Sequence, residues 1–289
     1  MQVLIKRIRQ FAGLSQQEFS EKLGVTFATI NRWENGKATP NRLAQTKLYD
    51  FCKEGNIPVY DMTIQRIQDE VKSIEVEEGR TILYHGSKSG IKGTIAPISR
   101  EKCDFGAGFY MGTEPAQPLT LICDFEKSKF YIVSISLADL ETLEVLADLD
   151  WSMIVAYNRG KMERIKGTDM YEKYRHLCEK KDVIIGSIAN DRMFYVLDNF
   201  FLGNITDLAL IKSLSALQLG RQYVAVTQKG CDAVRIEKEV PISYLERRFL
   251  QDVSEENRAK GIKAAKDICK NYRREGEFFD EIMDRAKEV

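Results

Sequence analysis

The chain has 289 residues, of which 44% are hydrophobic and 10% aromatic, a composition typical of folded globular proteins rather than disordered ones. Its length exceeds the ordinary size of one compact domain, so at least two domains are expected. The 43 basic and 43 acidic residues give a formal net charge of +0, which argues against a nucleic-acid binder along the whole chain. The sequence contains neither an apolar run of membrane-spanning length nor a secretory leader, so we expect a cytoplasmic protein without a membrane partner.

The cysteines and histidines argue against a metal site. The six cysteines lie far apart and lack the close pairs of zinc or redox motifs, and a disulfide framework is not expected in the cytoplasm. Only two histidines are present, His85 and His176. We therefore expect no metal cofactor, and we interpret His176, which lies in a charged stretch, as a solvated surface residue.

Residues 1–57 have the pattern of a small helical domain. They carry nine basic and five acidic side chains, an excess of positive charge that suits binding to phosphates. Ser15 and Glu18 form a capping-box pattern at the start of a helix that Gly24 ends. Thr26 caps the next helix, in which Ile30 and Trp33 are expected to be buried. Two short helices joined through a glycine predict a helix-turn-helix.

This segment resembles the Cro and lambda-repressor-like (Xre-type) family through LSQQE (14–18), LGV (23–25), WENGK (33–37) and Pro40. The resemblance covers about the first 55 residues and implies that the protein binds operator DNA as a homodimer. The residues that it places against the major groove are Phe27, Ala28, Asn31 and Arg32. The residues that it places on phosphates are Gln16 and Lys37. A small helical bundle that binds another protein remains the alternative interpretation.

Residues 58–79 are predicted to form a helical linker with one apolar stripe, made of Ile64, Ile67, Val71 and Ile74. Either this stripe pairs with the same stripe of a second copy, or it packs against its own chain. The sequence does not decide between the two.

Residues 80–237 alternate between strand-like and helical patterns. The strand-like runs are 81–85, 108–111, 130–135, 182–186 and 222–226, and the helical stretches are 152–157, 192–202 and 207–217. This mixed order predicts an α+β domain rather than a doubly wound sheet. Gly106 and Gly108 are no dinucleotide fingerprint, because a third glycine is missing and a strand follows. Residues 238–289 are predicted to be a helical extension that packs against a neighbouring domain or subunit and restrains an active site.

The second domain resembles a bacterial branch of the diphtheria-toxin-like and poly(ADP-ribose)-polymerase-like ADP-ribosyltransferases. The segments that carry the resemblance are LYHGS (83–87), DFGAGFYMGT (104–113) with Gln117, Trp151 with Asn158 and Arg159, IGSIAND (185–191) and QYV (222–224). The fold class expected for the whole chain is therefore multi-domain, with an all-α helix-turn-helix domain, an α+β ADP-ribosyltransferase-like domain and a helical C-terminal segment.

The resemblance implies that NAD is the substrate and that a His-Tyr-Glu set binds it. His85 is then expected to hydrogen-bond the ribose next to nicotinamide, and Tyr110 to stack on the nicotinamide ring. The backbone of Gly86 is expected to hold the carboxamide, because a missing side chain lets a ligand approach the backbone. The remaining residues expected at the NAD site are Ser87, Gly108, Phe109, Asn190 and Asp191.

The third position of the set is Gln222 rather than glutamate. A glutamine keeps hydrogen-bonding capacity but cannot act as a general base. Three explanations stay open: the acceptor is easily activated, another carboxylate assists, or the transferase is slow or inactive. Asp104 and Asp191 are the carboxylates to consider, with turn chemistry as the alternative role for both. Arg100 and Lys102 are candidates for the pyrophosphate, with solvation as their alternative.

The sequence thus predicts an NAD-dependent mono-ADP-ribosyltransferase fused to an autoregulatory DNA-binding module. Such a protein would belong to a bacterial or phage-derived toxin, defence or regulatory element, with a protein or nucleic acid as acceptor and an antitoxin as neutralising partner. Two other functions are compatible with the same residues. One is a transcriptional regulator whose second domain only binds NAD or a nucleotide, and the other is an NAD glycohydrolase.

Overall fold

The computed structural model describes residues 1–99, 102–188, 191–216, 220–272 and 275–288. Within these ranges, the side chains of residues 191–194, 215, 216, 265, 269 and 288 are not described. The fold consists of an N-terminal group of helices, a mixed α/β region built on one sheet, and helices at the C-terminal end. This arrangement agrees with the multi-domain fold class expected from the sequence.

The N-terminal helices begin and end where local signals place them. They are α1 (Gln2–Phe11), α2 (Gln16–Leu23), α3 (Phe27–Glu34), α4 (Arg42–Glu54) and α5 (Val59–Lys72). Ser15 and Glu18 form the predicted capping box, and Gly24 ends α2 in the left-handed conformation that glycine adopts most easily. The Thr26 side chain accepts a hydrogen bond from the N–H of Thr29. These observations confirm the predicted helix-turn-helix.

A buried ion pair fixes α1 to the C-terminal end of α3. The Arg9 guanidinium donates two hydrogen bonds to the Glu34 carboxylate, at 2.6 and 3.0 Å, and a third to the carbonyl of Leu14 at 2.8 Å. Gln16 Nε2 also donates to Glu34, at 2.7 Å. Burial alone would raise the pKa of Glu34, but the hydrogen bonds from Arg9 and Gln16 hold it below its ordinary value.

Among the described residues, seven strands form one sheet in the order β4-β5-β6-β2-β1-β3-β7. They are β1 (Arg80–Ser87), β2 (Phe109–Gly112), β3 (Lys129–Ser136), β4 (Thr142–Glu144), β5 (Val183–Ser187), β6 (Arg221–Ala225) and β7 (Val234–Val240). The described pairs are antiparallel except for β4 with β5. Five strands match the predicted runs, whereas β4 and β7 were not predicted.

Helices cover the sheet and continue to the C-terminal end. They are α6 (Ala116–Ile122), α7 (Leu149–Asn158), α8 (Asp169–Leu177), α9 (Asp191–Phe201), α10 (Asp207–Ala216), α11 (Gln228–Asp232), α12 (Tyr244–Asn271) and α13 (Phe279–Glu288), with a 3₁₀ turn at Glu163–Ile165. The largest apolar core surrounds the fully buried Trp151 of α7 and Phe200 of α9. Within the described ranges, no helix combines the length and apolarity needed to cross a bilayer.

The linker helix α5 packs against its own chain. Ile67 is fully buried in a cluster with Phe130 of β3 and Leu250 of α12, and the other three residues of the predicted stripe pack against the same cluster. The guanidinium of Arg66 donates two hydrogen bonds to Oε1 of Glu246, at 2.8 and 3.1 Å. Of the two alternatives left open for the stripe, the structure therefore shows packing within the chain.

The long helix α12 completes the core of the N-terminal helices. Leu245 and Phe249 are buried in the same apolar cluster as Leu48 of α4. The backbone N–H of Leu245 donates to the Gln45 side chain at 3.0 Å. The Tyr49 hydroxyl donates to the Asp252 carboxylate at 2.8 Å. The C-terminal extension was expected to pack against a neighbouring domain or subunit, and its helix α12 packs against the N-terminal helices.

Truncating the apolar contact between α12 and the N-terminal helices should destabilise the protein. We predict that Phe249→Ala lowers the free energy of unfolding by about 3 kcal/mol, because it removes a ring that is 7% exposed and leaves a cavity. Chemical denaturation followed by circular dichroism measures this. Leu43→Ala, at a site 70% exposed in α4, is the control and should change the value by less than about 0.5 kcal/mol. Equal stability of both variants would show that α12 does not complete this core.

Candidate functional site

The sheet opens between β1 and β2. These neighbours share one registered pair, Tyr84 with Gly112, whereas β1 and β3 are paired along all of β1. The two strands therefore diverge on the side where β1 continues to Ser87, and a cavity of about 450 Å³ lies beside them. Its described lining consists of Tyr84, His85, Gly86, Lys102, Cys103, Asp104, Tyr110, Met111, Gly112, Gln117, Pro118, Leu121, Arg159, Ile188 and Gln222.

His85 is held in one tautomer at the edge of this cavity. Its Nδ1 lies 2.7 Å from the carbonyl oxygen of Tyr110. Because a carbonyl only accepts, Nδ1 carries the proton and Nε2 of the neutral ring is left as an acceptor. Phe109 stacks on the imidazole, with ring centroids 4.1 Å apart. Burial lowers the pKa of His85, although the hydrogen bond to Tyr110 opposes this shift, so the ring is neutral near pH 7.

The ring of Tyr110 is fixed by its hydroxyl group. The hydroxyl donates to the carbonyl of Gly106 at 2.8 Å and accepts from the N–H of Phe105 at 3.1 Å. Burial raises the pKa of Tyr110 well above its usual value, so the phenol stays protonated. The polar end of Tyr110 is thus occupied by the 105–106 turn, and Tyr110 is one of the residues that line the cavity.

Gln222 forms a polar group at the cavity wall with Asp104 and Arg159. Gln222 Nε2 donates to the carbonyl of Ser187 at 3.0 Å and to Asp104 Oδ2 at 3.4 Å. The other oxygen of Asp104 accepts from Arg159 Nη2 at 2.6 Å. Within the described part of the chain, no donor reaches Oε1 of Gln222, which is therefore available to a ligand. Asp104 thus lies in the cavity rather than serving only as a turn residue.

The glycines of the motif fit the protein's own packing. A Cβ atom on Gly86 would lie 2.6 Å from the carbonyl oxygen of Pro118, and one on Gly108 would lie 2.5 Å from a methyl group of Val224. The missing side chain of Gly86 therefore makes room for α6, and the expected contact of its backbone with a ligand stays a prediction. Gly86 still lines the cavity through its backbone.

Several predicted site residues lie apart from the cavity or outside the described residues. Ser87, Gly108 and Phe109 are not part of the described lining, and Phe109 instead supports the ring of His85. Lys102 is exposed and lines the cavity. Arg100 and Asn190 lie outside the described residues, and Asp191 begins α9 with a side chain that is not described.

Two residues of the lining were quoted in the motifs without a role. Arg159 follows Asn158 at the end of α7 and pairs with Asp104, 55 positions earlier. Gln117 lies in the first turn of α6, between the ends of two strands. Their place in the motifs was the available signal, but a contact across the fold is not encoded in local spacing. Among the described residues, no group of three or more His, Cys, Asp or Glu side chains is arranged to hold a metal ion.

The second candidate site is the exposed face of α3. Phe27, Ala28 and Arg32 are exposed and Asn31 is half-buried, and their spacing places them along one side of the helix. Lys37 is also exposed. Gln16 is half-buried and is held between Glu34 and Asn31, at 2.7 and 3.3 Å, so it is part of the ion-pair network as well as the predicted phosphate contact.

Comparison with protein families agrees with both parts of the chain. A family described as "Helix-turn-helix" matches residues 5–43. A family described as "Protein of unknown function (DUF3990)" matches residues 81–236, which is more than half of the chain. The chain belongs to the DUF3990 family. The cavity lies within this DUF3990 domain, and a helix-turn-helix DNA-binding module precedes it. No curated protein and no solved structure matches the chain.

The buried state of His85 gives a pH signature. We predict that the His85 imidazole titrates below about pH 6.5, since burial lowers its pKa. Because the pKa of His85 is lower in the folded protein than in the unfolded chain, the unfolded chain binds the proton more readily. The free energy of unfolding therefore decreases as the pH falls through and below about 6.5. NMR of His176→Gln, which leaves one imidazole signal, gives the midpoint. His85→Gln should flatten the acid side of the stability curve. A midpoint above 6.5 would contradict the buried, neutral ring.

Substitutions on α3 and in the turn that follows it should distinguish contacts to bases from contacts to phosphates. We predict that Arg32→Ala weakens binding to the preferred duplex by about 1–3 kcal/mol and relaxes sequence preference, because the resemblance assigns Arg32 to base edges. Lys37→Ala should weaken binding to all duplexes and reduce the slope of log affinity against log salt by about 1. Salt titrations on duplexes selected from a random pool measure both. Lys260→Ala, exposed on α12, is the control. Unchanged binding by both variants would exclude α3 as the DNA-contacting helix.

Proposed function

We propose that the DUF3990 domain is an NAD-dependent mono-ADP-ribosyltransferase and that the helix-turn-helix module regulates its own gene. The observation that carries the proposal is the gathering of His85, Gly86, Tyr110 and Gln222, four residues from three strands, around one cavity. These are the positions that the resemblance to ADP-ribosyltransferases assigns to NAD. The cavity volume of about 450 Å³ is in the range of small-molecule sites.

The proposed pose places the nicotinamide half of NAD between β1 and β2. The positively charged nicotinamide ring stacks on the face of Tyr110, where a cation and an aromatic ring attract each other. Nε2 of His85 accepts a hydrogen bond from a hydroxyl of the adjacent ribose. Oε1 of Gln222 accepts from a second hydroxyl, since both contacts of its amide nitrogen are already made within the protein.

Transfer breaks the bond between the ribose C1′ and the nicotinamide nitrogen, and the electron pair leaves with neutral nicotinamide. Positive charge develops on the ribose ring, as in glycoside cleavage, and a nearby negative charge stabilises it. The acceptor then forms the new bond to C1′ and, if it was neutral, releases its proton to water. Asp104 is the carboxylate closest to Gln222 in the described lining and is the residue that supplies this charge.

A second candidate function is a regulator that binds NAD or a related nucleotide without chemistry. It is favoured by the ion pair of Asp104 with Arg159 at 2.6 Å, which offsets the negative charge, and by the absence of a carboxylate at Gln222. Ligand binding would then shift the populations of two conformations that differ in their affinity for DNA. Hydrolysis of NAD, with water as acceptor, is the third outcome that the same cavity allows.

One assay separates these functions. The full chain is incubated with labelled NAD, cell protein and nucleic acid, while nicotinamide release and label transfer are followed. We predict release with transfer, and a loss of at least about 100-fold in both for His85→Ala and for Tyr110→Ala, because each removes a contact to the reacting half of NAD. His176→Ala, at the exposed second histidine, is the matched control and should keep turnover within about twofold.

The outcomes of this assay are distinct. Binding without release supports the regulator, and release without transfer supports the glycohydrolase. Full turnover by both cavity variants dismisses the assignment of His85 and Tyr110. The same proposal includes a protein or nucleic acid as acceptor and a homodimeric state. It also places the protein in a toxin, defence or regulatory element with a neutralising antitoxin. Recovery of the labelled acceptor and of co-purifying protein tests them.

The role of Asp104 has a test of its own. We predict that Asp104→Asn lowers the single-turnover rate of nicotinamide release by about 10²–10³-fold while NAD affinity changes little, since the charge acts on the transition state. Asp182→Asn, a carboxylate outside the cavity that is held by Thr227 and Lys229, is the matched control. A normal rate for Asp104→Asn would remove the carboxylate from the mechanism.

A further inference from the structure

The amide of Gln117 contains an unpaired buried atom. Among the buried side-chain nitrogen and oxygen atoms of the described residues, its Oε1 is the one that has no hydrogen-bond partner. Folded proteins pair nearly all such atoms, and each exception calls for an explanation. Gln117 also lines the cavity between β1 and β2, so the unpaired atom belongs to a residue of the candidate site.

The fold makes room for this amide. A Cβ atom on Gly112, at the end of β2, would lie 3.0 Å from Oε1 of Gln117. A Cβ atom on Gly220, directly before β6, would lie 1.9 Å from Nε2. Gly112 is paired with Gln222 in the sheet, so the Gln117 amide lies next to the strand pair that contains Gln222. Any larger residue at these glycines would have to displace the amide.

The same turn of α6 lies against the β1 side of the cavity. The carbonyl oxygen of Pro118 would be 2.6 Å from a Cβ atom on Gly86. Gln117 precedes this contact by one residue, and it lines the same cavity as the Gly86 backbone, which the resemblance to ADP-ribosyltransferases assigns to the nicotinamide carboxamide. A carboxamide group has two N–H donors, and a single backbone carbonyl occupies only one of them.

We propose that Gln117 is a specificity-determining residue whose Oε1 accepts a hydrogen bond from the carboxamide N–H of NAD. The inference rests on the proposed function and adds what the site selects. The terminal torsion of a glutamine is broad, so a small rotation turns the covered oxygen into the cavity when a donor arrives. The deamidated dinucleotide, nicotinic acid adenine dinucleotide, carries a carboxylate at this position and offers only acceptors. The site therefore selects the carboxamide form.

The test compares the two dinucleotides on the full chain. Calorimetric titrations are made with NAD and with nicotinic acid adenine dinucleotide, on the unmodified chain and on Gln117→Leu. We expect the unmodified chain to bind NAD at least about tenfold more tightly than the deamidated form, as a lost hydrogen bond to a buried acceptor predicts. Gln117→Leu should bind NAD about tenfold more weakly and keep a preference of less than about threefold. Gln65→Leu, an exposed glutamine of α5, is the matched control and should behave like the unmodified chain.

A second measurement separates ligand binding from a structural role. Replacing an unpaired buried polar group by an apolar one of similar shape is neutral or stabilising, so the melting temperature of ligand-free Gln117→Leu should be unchanged or higher. A lower melting temperature with equal weakening of both dinucleotides would overturn the inference, as would a retained tenfold preference in Gln117→Leu. Binding of both dinucleotides with equal affinity by the unmodified chain overturns the inference alone. Binding of neither removes the proposed function and the inference with it.

Discussion

The divergence of β1 and β2 is the constraint on which the candidate site depends. Because the two strands share one registered pair, the polar edges beyond it are left without strand partners and face a cavity. The hydrogen bond from His85 Nδ1 to the Tyr110 carbonyl spans the gap and fixes the tautomer of the imidazole. Both His85 and Tyr110 line the cavity beside this gap.

The helix α12 gives this arrangement a common support. One part of it carries Leu245 and Phe249 into the core of the N-terminal helices. Another part holds the segment after α6, where Arg247 donates to the carbonyl of Phe125 at 2.6 Å and Gln251 donates to Asp124 at 2.9 Å. The N-terminal helices and the segment that follows α6 are therefore attached to the same helix.

Local signals in the sequence predicted much of the fold and part of the site. The capping box at Ser15 and the apolar runs of β1 and β3 depend on neighbouring residues, so they could be found without the fold. The strand β7 was missed because four of the seven residues of VRIEKEV are charged, so it lacks a continuous apolar run, and β4 has only three residues. The contacts of Asp104 with Arg159, and of Gln117 with Gly220, join distant segments, and no local pattern contains them. The packing of α6 against Gly86 also joins distant segments, so the sequence did not predict it.

The central claim is that NAD binds in the cavity between β1 and β2. A crystal structure of the full chain grown with NAD tests it most directly. We predict density for the nicotinamide ring against the face of Tyr110, with a ribose hydroxyl within hydrogen-bond distance of His85 Nε2. An empty cavity at saturating NAD, or a dinucleotide bound elsewhere on the chain, would contradict it.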